Sequence, residues 1–247
     1  VIANLFESLE SRQLLSSTAG TAFIKNDRLE IVGESRVNTV VTIVTLEGSD
    51  DAPPALQVTI NGRVSTFDLE EFNEILYRGG RRNDTVTINE DNGPIARTIR
   101  LYGNDGNDRL TADVSPVALF GGNGRDILLG SFSSDVLFGG NGDDDLFGDD
   151  GNDDIAGGKG DDDIRGDGGN DFLRGDADDD RIDGGLGSDD LRGDRGDDIL
   201  IDRAQFGEVN TFTGGRGWDT FFVSRPDRIR DLEWGEDVFV ANNNSRH

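Results

Sequence analysis

The chain has 247 residues, 34% hydrophobic and 30% charged, so any apolar core it builds must be thin. A formal net charge of -26 argues against nucleic acid or an anionic membrane surface as the main partner, and for cations or basic partners instead. Cysteine is absent, which excludes disulfides and thiolate chemistry, and no run of 18 apolar residues offers a membrane-spanning helix.

In chain order, residues 1–17 read as a flexible, sorting-like segment. Within it, Leu9-Glu10-Ser11-Arg12-Gln13-Leu14-Leu15 resembles the L-E-P-R-x-L-L motif near the N-terminus of some exported bacterial proteins, with Ser11 replacing the proline. An amphipathic N-terminal helix is the alternative reading of the same residues. Residues 18–92 read as a small N-terminal β cap. Ala22-Phe23-Ile24 and Leu29-Glu30-Ile31-Val32 flank the turn Asn26-Asp27, and the stretch from Val37 to Leu46 is rich in β-branched residues. Leu56 to Ile60 and Val64 to Phe67 flank Asn61-Gly62, a strong hairpin signal. The run from Leu69 to Tyr77 fits a short helix or an edge strand.

Residues 93–201 are read as a repeat unit. From Gly103 to Ile201 the chain divides into eleven nonapeptides, such as GGNGDDDLF (139–147) and GGKGDDDIR (157–165). Position eight is always Leu or Ile, and position six is Asp in ten of the eleven copies, Val117 being the exception. Each copy is a turn followed by a short strand that puts one apolar side chain on one face. One such triplet buries nothing by itself. Two nonapeptides forming an 18-residue coil, stacked on others, put every Leu and Ile in one interior. Eleven copies give roughly 26 Å of solenoid at ~4.8 Å per layer. Residues 103–201 hold 27 Asp, no Glu and 8 basic residues, a net charge of -19. Excluding Glu suggests that carboxylate reach matters, as in a tight loop folding back on an ion. A disordered acidic tract is the competing reading, and the one expected for this segment without a bound cation.

The pattern G-G-x-G-x-D-x-U-x resembles the RTX, or haemolysin-type, calcium-binding repeat. Further copies flank the run at Gly79–Thr87 (GGRRNDTVT) and Gly214–Phe222 (GGRGWDTFF). The resemblance implies an all-β fold, a right-handed parallel β-roll with a small N-terminal β cap and a C-terminal capping segment. It implies Ca2+ between loops two nonapeptides apart. The carbonyls of positions two and four and the Asp of one loop would join the carbonyls of positions one and three and the Asp of the next. Hard oxygens in this number suit calcium. On this sequence the implied ligands form two aspartate columns, Asp108, Asp126, Asp144, Asp162, Asp180, Asp198 and Asp135, Asp153, Asp171, Asp189, allowing eight inter-coil sites. The best-formed site joins Asp126 and Asp144 with carbonyls of Gly122, Gly124, Gly139 and Asn141. Next come Asp144/Asp162 with Gly140, Gly142, Gly157 and Lys159, and Asp153/Asp171 with Asp149, Gly151, Gly166 and Gly168. Sites using Ser131 to Ser134 or Ala177-Asp178 are weaker, because position four there lacks glycine. Other aspartates, such as Asp143, Asp145 and Asp167, are read as a solvated acidic face.

Residues 202–247 contain the last repeat and the C-terminal cap. The stretch from Asp227 to Val240 resembles the segment that often closes RTX rolls, and Phe221, Phe222, Leu232, Trp234 and Phe239 are large enough to plug the last coil. The one histidine is His247, the last residue given, so neither a Ser-His-Asp triad nor an H-E-x-x-H zinc site can be assembled, and no enzyme activity is expected. The leading expectation is a secreted calcium-binding structural or adhesion module that folds on binding calcium. The alternative is a module for cell-surface or matrix polysaccharide. Its binding stripe would be Phe120, Phe138, Arg174 and Arg192 on one sheet, or Phe147 and Arg165 on the other.

Overall fold

The computed structural model describes residues 20–48, 54–201, 203, 208–223, 228–229 and 238–241. Apart from a 3-10 turn at Leu69–Glu71, every regular element among them is a strand. The strands form two sheets, one of eleven strands (sheet I) and one of twelve (sheet II). The chain alternates between them, so that Val117–Asn123, Val136–Asn141 and Asp154–Lys159 lie in sheet I while Ile127–Leu129, Asp145–Asp150 and Asp163–Gly168 lie in sheet II. Within each sheet these strands are parallel and pair 18 residues apart: Leu119 with Leu137, Leu137 with Ile155, Leu128 with Leu146. The result is the parallel β-solenoid expected of a β-roll.

Position eight sets the core. Leu110, Leu119, Leu128 and their successors through Leu200 are all fully buried between the sheets. Positions seven and nine flank each of these and face outward, as strand alternation requires. Each coil therefore contributes only two core side chains, each stabilising by about 1.5–3 kcal/mol on burial. That is little for 18 ordered residues, and it is why the loops matter.

The parallel register continues N-terminally of the repeats. Glu74–Arg78 lies between Arg28–Val32 and Thr98–Asp105 in sheet I, and Thr85–Asn89 between Val40–Leu46 and Arg109–Thr111 in sheet II. The stretch from Leu69 to Tyr77 is thus neither a helix nor an edge: after the 3-10 turn it is an interior strand, with Ile75, Leu76 and Tyr77 buried. Antiparallel strands close this end. Thr21–Lys25 covers sheet I, and Ala55–Ile60 with Arg63–Asp68 covers sheet II. Both hairpins turn on residues at positive φ, Asn26 and Asp27 (51° and 56°) and Asn61 and Gly62 (47° and 80°), the geometry that matches strand twist. Phe67, Phe72 and Tyr77 thicken the core here.

At the other end, Thr211–Arg216 and Thr220–Val223 continue the sheets, with the pairing step widened to 21 residues (Leu191 with Phe212). Phe212 and Phe221 fill the core edge-to-face, with ring centroids 6.3 Å apart. Phe222 faces outward and pairs with Val240, so it does not plug the coil; Phe239 pairs with Phe221. Leu232, Trp234 and the Leu9–Leu15 motif lie outside the described residues.

Candidate metal centre

Position-six aspartates turn inward at the two edges of the solenoid. One edge carries the loops that pass from sheet I to sheet II, including 103–108, 121–126 and 139–144; the other carries 130–135, 148–153 and 166–171. All ten predicted aspartates are at most 3% exposed. They form a ladder on each edge, in which the backbone N–H of one aspartate donates to Oδ1 of the aspartate 18 residues on. On the first edge Asp108 donates to Asp126 at 2.7 Å, Asp126 to Asp144 at 2.7 Å, Asp144 to Asp162 at 2.8 Å, Asp162 to Asp180 and Asp180 to Asp198 at 2.9 Å. On the second edge Asp135 donates to Asp153 at 2.8 Å, and Asp153 to Asp171 and Asp171 to Asp189 at 2.9 Å.

The other carboxylate oxygen is the informative atom. Oδ2 of Asp108, Asp126, Asp144, Asp153, Asp162, Asp171, Asp180 and Asp198 is buried with no hydrogen-bond donor. A buried anionic oxygen without a partner is costly. Burial accordingly pushes the carboxyls up, Asp126 to about 6, Asp108, Asp153, Asp162, Asp171 and Asp198 to about 7, Asp144 to about 8 and Asp180 to about 9. For Asp144 the neighbouring charges of Asp126 and Asp162 add to the desolvation.

Each orphaned oxygen looks into a small cradle. A methyl group on Gly121 would overlap Oδ2 of Asp126 and come within 2.6 Å of the Gly139 carbonyl oxygen. Gly139 and Gly148 repeat this arrangement, toward Asp144 with the Gly157 carbonyl and toward Asp153 with the Gly166 carbonyl. Glycine at position one leaves the space in which a carboxylate oxygen of one loop and a carbonyl of the next converge. Oδ1 faces the preceding loop and Oδ2 the following gap, so each aspartate spans two gaps. The carbonyls of Gly122, Gly124, Gly140, Gly142 and Gly151 point along the solenoid axis at the glycine of the next coil, with no room there for a Cβ. Asn141, Lys159 and Gly168 present carbonyls that accept N–H bonds from Gly124, Gly142 and Gly151 at 2.7–2.8 Å, leaving a second lone pair on each. Among the described residues no point gathers three acidic or imidazole side chains, so an ion here would be held largely by main-chain carbonyls. Such a donor set, all oxygen with few charges per site, fits calcium.

Conformation separates the loops into two kinds. Positions two and four lie at positive φ in 103–108, 121–126, 139–144, 157–162, 175–180, 193–198 and 214–219 on the first edge, and in 148–153, 166–171 and 184–189 on the second. Asp178, weak by sequence, adopts φ 79°. Asp149, Asp167, Asp176 and Asp194 at position two do the same, since Asp tolerates this region better than most side chains. In 79–84 and 130–135 neither position is at positive φ. There the loop supplies its own donor: Gly80 N–H bonds Oδ2 of Asp84 at 2.9 Å, and Ser131 N–H bonds Oδ2 of Asp135 at 2.5 Å.

Three ladder members escaped the sequence reading. Asp84 and Asp219 extend the first edge, accepting from Thr39 at 2.6 Å and Asp198 at 3.0 Å, and Asn210 continues the second, accepting from Asp189 at 2.7 Å. Position six of the two flanking repeats was the available signal for the aspartates. Glu90 is a fourth. It is buried at the start of the second edge, before Val117, and accepts from the N–H groups of Ile95, Val114 and Ser115 and from the Ser115 hydroxyl. Among the surplus aspartates, Asp143 is exposed and accepts from Asp161 N–H at 3.2 Å, while Asp145 pairs with Arg125 at 3.2 Å.

The family model for the RTX calcium-binding nonapeptide repeat (4 copies) matches residues 100–115, 120–155, 138–173, 147–181 and 165–200. Residues 100–200 are RTX repeats. The RTX segment therefore coincides with the run of orphaned carboxylates from Asp108 to Asp198. No curated protein matches the chain. No helix among the described residues is long and apolar enough to cross a membrane.

Proposed function

We propose that calcium fills the gaps between consecutive open loops, six on the first edge from Asp108 to Asp219 and two on the second from Asp153 to Asp189. The observation that carries this reading is the stack of buried Oδ2 atoms without donors, those of Asp108, Asp126, Asp144, Asp153, Asp171 and Asp198 each beside a carbonyl of the next coil. In the best-formed gap the ligands are the Gly122, Gly124, Gly139 and Asn141 carbonyls with Asp126 and Asp144. The equivalent sets are Gly140, Gly142, Gly157 and Lys159 with Asp144 and Asp162, and Asp149, Gly151, Gly166 and Gly168 with Asp153 and Asp171. The gap between Asp135 and Asp153 is not among the eight, because the loop 130–135 satisfies its own carboxylate.

Calcium would supply the counter-charge that the orphaned carboxylate oxygens lack, and those oxygens would come together with the carbonyls as the coil stacks and the ion binds. Binding to the folded roll alone makes affinity into folding free energy. A module needing this many ions suits a calcium-rich extracellular setting, where it would serve as a structural or adhesion element. Of the aromatic residues on the stripes that would bind a polysaccharide, Phe138 is exposed, while the others are engaged within the protein. Tyr102 and Phe120 stack on each other at 4.5 Å, and the faces of Phe172 and Phe147 are covered by Arg192 at 4.6 Å and Arg165 at 5.1 Å. Calcium titration with far-UV circular dichroism tests the reading. About eight ions and a gain of strand are expected; two or fewer ions, or a spectrum identical in chelator and in calcium, would refute it.

A further inference from the structure

Asn123-Gly124 and Asn141-Gly142 occupy positions three and four of successive loops. In a mobile chain, asparagine before glycine is prone to deamidation, because no side chain shields the glycine nitrogen from the neighbouring amide. The folded roll pulls the two reacting groups apart along its axis. Gly124 N–H donates forward to the Asn141 carbonyl at 2.8 Å, while the Asn123 side-chain amide donates backward to Asp105 at 2.7 Å. One coil later, Gly142 N–H donates forward to Lys159 at 2.7 Å, and the Asn141 amide donates backward to Asn123 at 2.7 Å.

We propose that Asn123 and Asn141 are covalent modification sites gated by calcium: shielded in the loaded roll, and open to deamidation and isomerisation when the metal is lost. This rests on the calcium reading above. In the reaction the deprotonated Gly124 nitrogen attacks Cγ of Asn123, forming a C–N bond and releasing the side-chain nitrogen as ammonia. Water then opens the resulting succinimide, at either carbonyl, to aspartate or isoaspartate. No oxidant or further reactant is needed. Either product is damaging. Isoaspartate adds a methylene to the backbone and breaks the 18-residue step that aligns the coils. Aspartate at 123 sets a carboxylate against Asp105 where a donor had been. The chain would thereby lose its ability to reload calcium.

Two other Asn-Gly pairs serve as internal controls. Asn61-Gly62 and Asn92-Gly93 lie in the N-terminal region, whose buried acids Asp84 and Glu90 have protein donors and need no ion. The test is incubation of the full chain at mildly alkaline pH with millimolar calcium or with chelator, followed by peptide mass mapping and isoaspartate detection, with circular dichroism in parallel. Modification of Asn123 and Asn141 should be at least about tenfold slower in calcium, and that of Asn61 and Asn92 unchanged within about twofold. Equal rates at Asn123 and Asn141, with calcium still inducing strand, would overturn the inference and leave the calcium reading standing. A spectrum blind to calcium would overturn both. Asn123→Gln with Asn141→Gln adds a second readout, since both keep the main-chain carbonyl that would face the ion and position three already accepts Lys159, Leu186 and Arg195. After long incubation in chelator this variant should refold fully on adding calcium, whereas the parent should lose refolding in proportion to its isoaspartate. A parent that refolds despite the modification would refute the proposal.

Discussion

Gly139→Ala and Gly93→Ala separate backbone strain from loss of a cation cradle. Gly93 lies at φ 111° with nothing within 4 Å of an added methyl, so alanine there imposes strain alone, about 1–3 kcal/mol. Gly139 is not at positive φ, and its methyl would enter the space where Asp144 Oδ2 and the Gly157 carbonyl converge, 2.7 Å from the latter. Besides that clash, which is present with or without metal, a further cost should appear through the ion. A site held at about a hundred times its dissociation constant contributes about 2.7 kcal/mol, and each further tenfold rise in calcium adds about 1.4 kcal/mol. Titration calorimetry should find at least one ion fewer in Gly139→Ala. Chemical denaturation at several calcium concentrations should show its destabilisation growing with calcium. Gly93→Ala should keep the full stoichiometry and lose the same stability at every calcium concentration. A Gly139→Ala protein that binds the full set of ions, with a destabilisation independent of calcium, would refute the assignment of the cradle.

Ser131→Gly with Ser133→Gly should let the loop 130–135 reach positive φ and release Asp135 Oδ2, adding one ion by titration; unchanged stoichiometry would count against φ as the deciding feature. Asp144→Asn should act with opposite signs, losing ions in calcium while stabilising the metal-free roll by removing a buried charge; the side chain can still accept from Asp126 N–H, as Asn210 does from Asp189. The raised carboxyls, about 7 at Asp108 and about 9 at Asp180, mean that the metal-free roll retains protons at a pH where the unfolded chain has lost them. Metal-free stability should therefore fall as pH rises from the ordinary carboxylate range through these values, and acidification in chelator should restore strand, as circular dichroism will show. Acidification should also raise the calcium midpoint, since the ion must displace those protons. Hydrogen exchange in chelator should leave Val40–Leu46, Ala55–Ile60 and Glu74–Arg78 protected while the strands from Asp145 to Ile201 exchange; uniform exchange would show that the N-terminal region also depends on the metal.

The coil step and the core were legible because each is carried by one strict position. Leu or Ile at position eight, repeated every nine residues, admits a single stacking, and the register of Leu119 with Leu137 follows from it. The aspartate columns were legible for the same reason. What the repeat could not reveal is which carboxylates are already satisfied. That depends on whether a loop can turn its position-two N–H toward its own aspartate, as Gly80 and Ser131 do, and this is a matter of φ rather than of the aspartate itself. Nor did the pattern expose Glu90, whose donors come from Ile95 and from Val114 and Ser115, beyond one intervening coil of sequence. The scarcity of Glu in the repeats also has a second cause. Many of the surplus aspartates sit at positive φ, at Asp149, Asp167, Asp176, Asp178 and Asp194, a region that Asp tolerates and that longer side chains rarely adopt.

Asp84, Glu90 and Asp135 are as deeply buried as Asp126 and Asp144, yet only the latter two have an oxygen without a donor. The difference divides the chain by its need for metal. Toward the N-terminus, the hairpins and Phe67, Phe72 and Tyr77 enlarge the core, and backbone N–H groups neutralise the buried acids. From Asp108 on the first edge and Asp153 on the second, the core is one Leu or Ile per strand, and the carboxylates stack at 18-residue intervals without donors for Oδ2. A chain built this way gains a preformed parallel edge, at Thr98–Asp105 and Arg109–Thr111, onto which each further coil can add as its ions bind. Coil addition then spreads from the N-terminal side. Removing the hydroxyl donor of Glu90 by Ser115→Ala should therefore slow calcium-induced folding of the whole roll, although Ser115 lies in no calcium loop. A folding rate unchanged in stopped-flow mixing with calcium would mean that the coils nucleate elsewhere.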